Sequence, residues 1–254
     1  MKTKVSAIIV TYNNAKTIEF CLSSLQKQSG NFELEIIVVD NNSNNETIYK
    51  IEKFKISHLI RNQENLGFGK AINLGVKIAS GEYLLLLNPD AELKEEALAK
   101  LLEKIKSDEK IAMVGGKFIS RIGEAMVSFG NFPNFWTEFF QKTRLAKLFP
   151  IGRYICPTIF SKKLFNTFHQ VDWVSGGFCL IRKDIFERIS GFDEKYFLYL
   201  EDIDLAKKVK EQGYKIVFTP NALAIHHQER SGSASARIYE KESLRYYWNK
   251  NLKK

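Results

Sequence analysis

The sequence has few cysteines, no long apolar run and no glycine-rich loop after its first predicted strand, and each absence excludes a class of protein. Among 254 residues there are three cysteines, Cys21, Cys156 and Cys179. An odd number spaced so widely indicates neither a disulfide framework nor a zinc site, so we expect buried thiols in a reducing compartment. The apolar run at 7–10 is too short for a signal sequence, and no stretch approaches the roughly 18 apolar residues of a membrane span. We therefore expect a cytoplasmic protein.

The remaining composition is that of a basic globular protein. Hydrophobic residues make up 44% of the chain and charged residues 26%, and the length suits one large α/β domain. The 38 Lys and Arg residues exceed the 29 Asp and Glu residues, which gives a net charge of +9. This surplus favours anionic partners such as nucleotides, nucleic acids or acidic lipid headgroups, without choosing among them.

An apolar run at 83–87 leads directly into Asn88, Pro89 and Asp90. The unbroken run predicts a central strand buried on both faces, and Pro89 ends it because proline has no amide hydrogen to donate. Other apolar runs and stripes predict strands that alternate with helices, which requires a parallel sheet with right-handed crossovers. The predicted strands are 5–11, 35–39, 57–61, 83–87, 111–119, 171–182, 214–219 and 222–225, and the predicted helices are 15–28, 70–79, 93–105, 201–212 and 237–248.

Polar segments follow four of the predicted strands. The carboxyl ends of parallel strands meet at one edge of the sheet, where open α/β sheets bind their ligands. We therefore expect a site at this edge, while each segment alone is also typical of a turn. The segments are Thr11-Tyr12-Asn13, Asp40-Asn41-Asn42-Ser43, Asn65-x-Gly67-Phe68 and Asn88-Pro89-Asp90.

The sequence has no conventional phosphate loop. A dinucleotide-binding unit places Gly-x-Gly-x-x-Gly after its first strand, but no glycine occurs there. The close pair Gly67 and Gly69 does not make a phosphate loop either, because Ala71 stands where Ser or Thr is required. A divalent cation on Asp90 would neutralise a pyrophosphate instead. The alternative is that Asp90 is a turn residue capping the next helix.

Three carboxylates, Glu201, Asp202 and Asp204, open a predicted helix after the apolar and aromatic residues 196–200. Burial beside like charge raises carboxyl pKa values toward those useful for a general base. The alternative is favourable charge at a helix N-terminus without any chemistry. Upstream, the pair Gly176-Gly177 within a predicted strand indicates either the close approach of a ligand or a bulge.

The four strand-end motifs resemble, in the same order, the nucleotide-sugar half of family 2 glycosyltransferases, which are inverting enzymes of the GT-A fold. The likeness extends over nearly the whole chain. Within the family, the sequence resembles bacterial rhamnosyltransferase-like members that build surface polysaccharides. It implies an α/β fold with a single mixed, mainly parallel sheet flanked by helices. It also implies metal-dependent transfer of a sugar, such as rhamnose, from a nucleoside diphosphate to a glycan or lipid-linked acceptor. The motifs are Val10-Thr11-Tyr12-Asn13, Val39-Asp40-Asn41-Asn42-Ser43, Asn65-x-Gly67-Phe68 and Leu87-Asn88-Pro89-Asp90.

The resemblance further implies roles for individual residues. Asp40 would hold the base or ribose of the donor, and Asp202, beside Glu201, would take the proton from the acceptor hydroxyl. Asn88 occupies the first position of a metal-binding Asp-x-Asp element, where its amide is a neutral and weaker ligand than a carboxylate. The expected donor-binding residues are Thr11, Tyr12, Asn13, Asp40, Asn65, Gly67, Phe68, Asn73, Asn88 and Asp90, the acceptor-binding residues Trp173, Gly176 and Gly177, and the ligands of a Mg²⁺ or Mn²⁺ cofactor Asp90 and His226.

The metal-binding histidine of the family precedes a Ser/Gly-rich stretch, which Ser231-Gly232-Ser233 matches in this sequence. We select His226 over His227 because adjacent residues of a strand point to opposite faces. We expect one domain over 1–254, with a nucleotide-sugar half at 1–110, an acceptor-binding and catalytic half at 111–235 and a final helix at 236–254.

The stretch at 129–168 interleaves aromatic with basic residues. Such a stretch binds a membrane surface, sugars or single-stranded nucleic acid, or is a flap that packs its own aromatics. We favour a peripheral position at the inner face of the membrane, with no nucleic-acid partner. A nucleic-acid-binding protein would leave the strand-end motifs unexplained, and a nucleotidyltransferase would need a glycine-rich loop. A catalytically weak GT-A scaffold is the remaining alternative, because of Asn88.

Overall fold

The computed structural model describes residues 2–133, 163–227 and 234–251. The strands in these ranges are β1 (Thr3–Thr11), β2 (Phe32–Asp40), β3 (His58–Arg61), β4 (Tyr83–Leu87), β5 (Ala91–Leu93), β6 (Ile111–Ile119), β7 (Ala125–Met126), β8 (Phe129–Gly130), β9 (His169–Val171), β10 (Trp173–Val174), β11 (Phe178–Arg182) and β12 (Lys215–His226). The helices are α1 (Ile18–Gln26), α2 (Thr47–Ile51), α3 (Phe68–Ile78), α4 (Ala97–Lys106), α5 (Lys183–Arg188), α6 (Glu201–Glu211) and α7 (Ala234–Asn251), with a 3₁₀ turn at Leu164–Asn166.

A mixed sheet of ten strands lies at the centre of the fold. Its order is β3-β2-β1-β4-β11-β6-β12-β5, with β7 beside β6 and β9 beside β12. Strands β1, β2, β3, β4, β6 and β12 run in one direction, and β5, β7, β9 and β11 run in the other. The predicted α/β fold with a mixed, mainly parallel sheet is therefore confirmed.

Strand β4 is buried on both faces, as predicted. Tyr83, Leu85 and Leu87 pack into the core that includes α1 and α4. Leu84 and Leu86 pack into the core that includes α3, α5 and α6. Alternate residues of a strand face opposite sides of its sheet, so a strand covered by helices on both sides needs an unbroken apolar run. Each fully buried leucine contributes about 1.5–3 kcal/mol to the stability of the fold. This burial fixes the position of β4 and of the polar residues that follow it.

The predicted helix at 93–105 is shorter than expected. Residues 91–93 form β5, which pairs antiparallel with the end of β12, and α4 begins only at Ala97. The amide of Leu93 donates to Oγ of Ser24 at 3.0 Å, and the amide of Lys94 donates to the carbonyl of Leu223 at 2.9 Å. Tertiary hydrogen bonds thus override the local helical pattern.

Other elements also differ from expectation. The predicted strand at 171–182 is three strands, β9, β10 and β11, which pair with different partners. The break between β10 and β11 contains the predicted glycine pair. The strands predicted at 214–219 and 222–225 are one strand, β12, with a shift of register between Phe218 and Leu223. Helices α2 and α5 were not predicted, because five or six residues carry too little periodicity.

The basic, aromatic stretch at 129–168 falls largely outside the part of the chain that the structure describes, which includes 129–133 and 163–168 of it. No helix within the described ranges has both the length and the apolar character needed to cross a bilayer.

Candidate active site

The carboxyl ends of the parallel strands meet at one edge of the sheet, as expected. Thr11 at the end of β1 pairs with Asp40 at the end of β2, which in turn pairs with Arg61 at the end of β3. Asn88 follows β4, the other neighbour of β1. The strand-end motifs therefore lie side by side.

The side chain of Asn41, which belongs to a predicted strand-end motif but was given no role of its own, joins these loops. Its amide nitrogen donates to Oδ1 of Asn65 at 3.1 Å and to the carbonyl of Gly67 at 2.9 Å, and its Oδ1 accepts from Asn62 at 2.8 Å. Asn41 is buried, so these bonds satisfy an amide that would otherwise destabilise the fold. The motif Asp40-Asn41-Asn42-Ser43 marked its position in the sequence but not this contact.

Asp40 is also buried, with one carboxylate oxygen accepting a hydrogen bond from the amide of Ser43 at 3.0 Å. The other oxygen is buried and has no hydrogen-bond partner in the described part of the chain. Buried acceptors are nearly always paired in proteins, so this oxygen is suited to a donor group of a ligand.

The loop after β1 holds the other expected nucleotide contacts. Oγ1 of Thr11 donates to Oδ1 of Asn14 at 3.2 Å, and the amide of Asn13 donates to Oγ of Ser43 at 2.8 Å. Asn13 adopts a left-handed backbone with φ 58°, whereas Tyr12 presents its side chain to solvent. The hydrogen bonds fix the loop against that of Asp40 and leave the ring of Tyr12 accessible.

Gly67 and Phe68 connect this edge to the later half of the chain. The amide of Phe68 donates to the carbonyl of Phe197 at 3.0 Å. Gly67 has φ 80°, and a Cβ there would overlap the same carbonyl oxygen. Only glycine therefore permits both the backbone conformation and this close approach.

Asn73, on α3, contacts the turn at Phe192. Its Oδ1 accepts from the amide of Phe192 at 3.0 Å, and its Nδ2 donates to the carbonyl of the same residue at 3.0 Å. Both polar atoms therefore hold α3 against the turn at Phe192, and the assignment of Asn73 to the donor site stays a prediction.

Asp90 and His226 come together at the end of β12. Nε2 of His226 is 3.2 Å from Oδ1 of Asp90, and the imidazole stacks on Phe118 with a centroid distance of 4.7 Å. The amide of His227 donates to the carbonyl of Asp90 at 2.8 Å. The two predicted metal ligands thus face each other, across strands β5 and β12 that the sequence did not pair.

His227 points elsewhere. Its Nε2 is 2.9 Å from Oε2 of Glu92, and its Nδ1 accepts from Nε of Arg121 at 2.9 Å. Its ring stacks on Phe20 at 4.8 Å. Both ring nitrogens are occupied, which agrees with the choice of His226 as the candidate ligand.

A cleft of about 450 Å³ lies beside Asn88. It brings together expected residues from four distant segments and adds several that were not predicted, notably from α7. The amide of Asn88 donates to the carbonyl of Gly177 at 2.8 Å. A Cβ on Gly177 would come 2.5 Å from the Asn88 side chain, which explains one glycine of the pair. The lining residues are Phe68, Asn88, Val127, Trp173, Ser175, Gly176, Gly177, Leu198, Tyr199, Leu200, Glu201, Asp202, Ile203, Ala236, Arg237 and Glu240.

Glu201 and Asp202 form the acidic part of this cleft. Oδ2 of Asp202 accepts from the amide of Gly176 at 3.2 Å. Burial raises the pKa of both carboxyls, and the charge of Asp202 raises that of Glu201 further. Glu201 is buried and its Oε2 has no partner within the described ranges, whereas Asp202 keeps part of its surface exposed. Asp202 is therefore the more accessible of two proton acceptors.

Asp204 belongs to a different environment. It is buried and pairs with Nζ of Lys250 at 2.7 Å, so it holds α7 against α6. The three carboxylates that look alike in the sequence are thus divided between the cleft and a structural ion pair.

The chain enters α6 through two residues with left-handed backbones, Tyr199 with φ 71° and Leu200 with φ 64°. Such conformations cost about 1–2 kcal/mol per non-glycine residue and cluster at functional sites. Here they turn the first residues of α6, Glu201 and Asp202, toward the cleft.

The fold, with an acid pair lining a cleft at the carboxyl edge of the sheet, is that of a glycosyltransferase of the GT-A class. The model of Glycosyl transferase family 2 matches residues 6–190, and the chain belongs to this family. A second model, the N-terminal domain of galactosyltransferase, matches residues 162–230, which include the acid pair. The family and enzyme class predicted from the sequence are confirmed.

Curated relatives include two rhamnosyltransferases. The chain is 25% identical over 260 residues to N-acetylglucosaminyl-diphospho-decaprenol L-rhamnosyltransferase of Mycobacterium tuberculosis, covering 91% of this chain and 78% of the relative. It is 28% identical over 204 residues to rhamnosyltransferase WbbL of Escherichia coli, covering 73% and 72%. The predicted likeness to rhamnosyltransferases is confirmed.

Solved structures share the fold at low sequence identity. Mannosyltransferase PcManGT from Pyrobaculum calidifontis, in complex with GDP-Man and Mn²⁺, matches 100% of this chain with a TM-score of 0.68 and 19% identity. GalNAc-T7 with UDP, GalNAc and Mn²⁺ matches 97% with a TM-score of 0.69 and 19% identity. The chain spans 65% and 48% of these solved chains, respectively.

Proposed function

We propose that this glycosyltransferase moves a sugar, with inversion, from a nucleoside diphosphate to a hydroxyl of a lipid-linked glycan acceptor, with Asp202 as the general base. The observation that carries the proposal is the acid pair of Glu201 and Asp202 in the wall of the cleft that Asn88 also lines. This geometry favours a transferase over the nucleic-acid-binding alternative.

The donor nucleotide is assigned to the edge formed by the ends of β1, β2 and β3. The unpartnered oxygen of Asp40 supports a role in accepting a hydrogen bond from the base or ribose. Thr11, Tyr12 and Asn13 lie across the same edge, and Asn65, Gly67 and Phe68 complete it through Asn41. This placement supports the proposed division into a donor half at 1–110 and an acceptor half at 111–235.

A divalent cation fits Asp90 and His226, because an anionic oxygen and an imidazole nitrogen already converge there. No group of three or more His, Cys, Asp or Glu side chains within the described ranges is arranged to hold a metal. Two protein ligands suit a cation that completes its shell with water and substrate phosphates. When bound, it would neutralise charge on the leaving nucleotide. Asn88 is retained as a neutral ligand in this proposal.

Asp202 then performs the proton transfer. The acceptor oxygen forms a bond to the anomeric carbon while the bond from that carbon to the phosphate oxygen breaks on the opposite face. The hydroxyl proton passes to the Asp202 carboxylate, and the nucleoside diphosphate leaves with the bonding electrons. One displacement with one base inverts the anomeric centre. Trp173, Gly176 and Gly177 lie beside Asp202 and are assigned to the acceptor.

The relatives support the class of donor and acceptor. Two act as rhamnosyltransferases, one on a diphospho-decaprenol, and the solved structures contain UDP or GDP-Man with Mn²⁺. By this analogy we assign a nucleoside-diphosphate sugar, such as one of rhamnose, as the donor and Mg²⁺ or Mn²⁺ as the cofactor. We also assign the protein to a membrane surface, where it would act in surface-polysaccharide synthesis.

Titration calorimetry with UDP and dTDP tests the donor and cation assignment. We expect at least one of them to bind about tenfold or more tightly in Mn²⁺ than in EDTA, because there is no phosphate loop to hold the diphosphate alone. Asp90→Ala should abolish this difference, whereas the exposed control Asp184→Ala should keep it. Equal affinity in EDTA and Mn²⁺ for the parent, or an unchanged metal requirement in Asp90→Ala, would contradict the assignment.

A further inference from the structure

Helix α7 contributes Ala236, Arg237 and Glu240 to the wall of the cleft. The sequence predicted the helix but no function for it, and neither the proposed donor edge nor the acid pair includes it. These residues bring a further, distant segment of the chain to the site.

The helix is fixed firmly beside the acid pair. Oγ of Ser243 donates to the carbonyl of Leu198 at 2.8 Å, and the rings of Phe197 and Tyr239 are 4.5 Å apart. Lys250 adds ion pairs to the far end of the helix. Because Leu198 lies just before α6, the position of Arg237 relative to Asp202 is set by direct packing.

Arg237 is the only Lys or Arg among the cleft-lining residues that the structure describes. Its side chain is exposed, and within the described part of the chain it makes no ion pair, hydrogen bond or ring contact, even though Glu201, Asp202 and Glu240 line the same cleft. An arginine that served to neutralise these acids would lie within ion-pair distance of one of them. Its guanidinium is therefore available to a ligand.

We propose that Arg237 binds a phosphate group of a substrate in the cleft, an inference that rests on the proposed function. A guanidinium presents a planar fork of donors that matches phosphate oxygens and forms strong charge-assisted bonds. A neutral sugar would need no cation, whereas the negative charges of Asp202 and Glu240 would repel a phosphate unless a positive charge stood among them. Two substrates of the proposed reaction carry such a group, the nucleoside diphosphate donor and a diphosphate-linked lipid acceptor.

Binding of two probes distinguishes these sources. UDP or dTDP represents the donor and geranyl diphosphate represents the lipid acceptor, with uridine, thymidine and geraniol as phosphate-free controls. Arg237→Gln should weaken binding of at least one diphosphate probe by about tenfold or more and leave the controls unchanged. Arg237→Lys should recover part of the loss, since it keeps the charge but not the fork. Arg245→Gln, on an exposed position of the same helix, is the matched control and should bind like the parent.

A loss confined to UDP or dTDP assigns the arginine to the donor, and one confined to geranyl diphosphate assigns it to the acceptor. Unchanged binding of both probes to Arg237→Gln overturns the arginine site but leaves the proposed function standing, provided that the parent binds a nucleoside diphosphate. A parent that binds neither probe contradicts both proposals.

Discussion

The adjacent carboxylates Glu201 and Asp202 have different surroundings, and the difference supports the roles proposed for them. Asp202 is partly exposed and accepts a hydrogen bond from Gly176, whereas Glu201 is buried with one oxygen unpartnered. A general base must reach the acceptor hydroxyl, so accessibility favours Asp202.

Asp202→Asn keeps the shape of the side chain and removes the proton acceptor. Transfer should fall by about 10² to 10⁴-fold while the affinity for nucleoside diphosphate changes little. Glu201→Gln should reduce transfer less than Asp202→Asn does. Steady-state transfer from the nucleotide sugar that binds, combined with calorimetry, separates chemistry from binding. Near-parental transfer by Asp202→Asn together with an inactive Glu201→Gln would identify Glu201 as the base.

Asp204 is the control within the same cluster. At the helix start alone, its charge would contribute roughly 0.3 to 1 kcal/mol. Its buried ion pair with Lys250 indicates a larger structural effect. In the same transfer assay Asp204→Asn should transfer sugar at a rate near that of the parent. Its free energy of unfolding should be lower instead.

The raised pKa of Glu201 predicts how stability depends on pH. Burial and the Asp202 charge keep the Glu201 carboxyl protonated above its ordinary value of 4.5, so the folded state binds more protons than the unfolded state. Stability therefore falls as pH rises from 4.5 through the raised pKa. Urea unfolding at about pH 5 and about pH 9 should show a smaller loss for Glu201→Gln than for the parent. The exposed control Glu103→Gln should lose as much stability as the parent. An equal loss of stability in all three proteins would contradict the prediction.

At the scale of elements, the close contact between the turn at Gly67 and the segment before α6 couples the donor edge to the cleft. Gly67 and Gly123 both have left-handed backbones, with φ 80° and 83°. A Cβ at Gly123 would meet open space, whereas one at Gly67 would overlap the carbonyl of Phe197. The two glycines therefore separate backbone strain from steric clash.

Gly123→Ala should cost about 1–2 kcal/mol of unfolding free energy, from the left-handed backbone alone. Gly67→Ala should cost about 1–3 kcal/mol more, because a backbone carbonyl cannot move aside without shifting Phe68 in the cleft. Chemical denaturation measures both, and calorimetry with nucleoside diphosphate should show weaker binding only for Gly67→Ala. Equal costs for the two variants would argue against the close approach.

The whole molecule carries a net charge of +9, and the basic, aromatic stretch at 129–168 supplies part of it. Our proposal that this stretch meets an acidic membrane predicts binding to anionic vesicles that weakens with salt. Each basic residue near such a surface contributes about 1 kcal/mol. In flotation assays, replacing Lys142, Arg144 and Lys147 by Gln should reduce binding more than replacing Lys53, Lys55 and Lys94. Equal binding to anionic and neutral vesicles would contradict the proposal. Tight, salt-sensitive binding to single-stranded RNA would instead favour a nucleic-acid partner.

The order of most elements, the burial of β4 and the polar strand ends followed from the sequence alone. These features depend on neighbouring residues: alternation sets which face of a strand is buried, and a proline or polar cluster ends it. Asp40, Asn88 and Asp90 could be selected in this way because a parallel sheet carries all its strand ends to one edge.

Tertiary structure decided what depends on residues distant in the chain. Pairing of β5 with β12 placed His226 beside Asp90, and the ring nitrogens of His227 contact Glu92 and Arg121 instead. Hydrogen bonds joined Asn73 to Phe192, more than a hundred positions away in the chain, while Lys250 separated Asp204 from its neighbours. The packing of α7 brought Arg237 to the cleft although no local pattern marks it. Such contacts are set by how whole elements pack together, and no short window of sequence contains both partners.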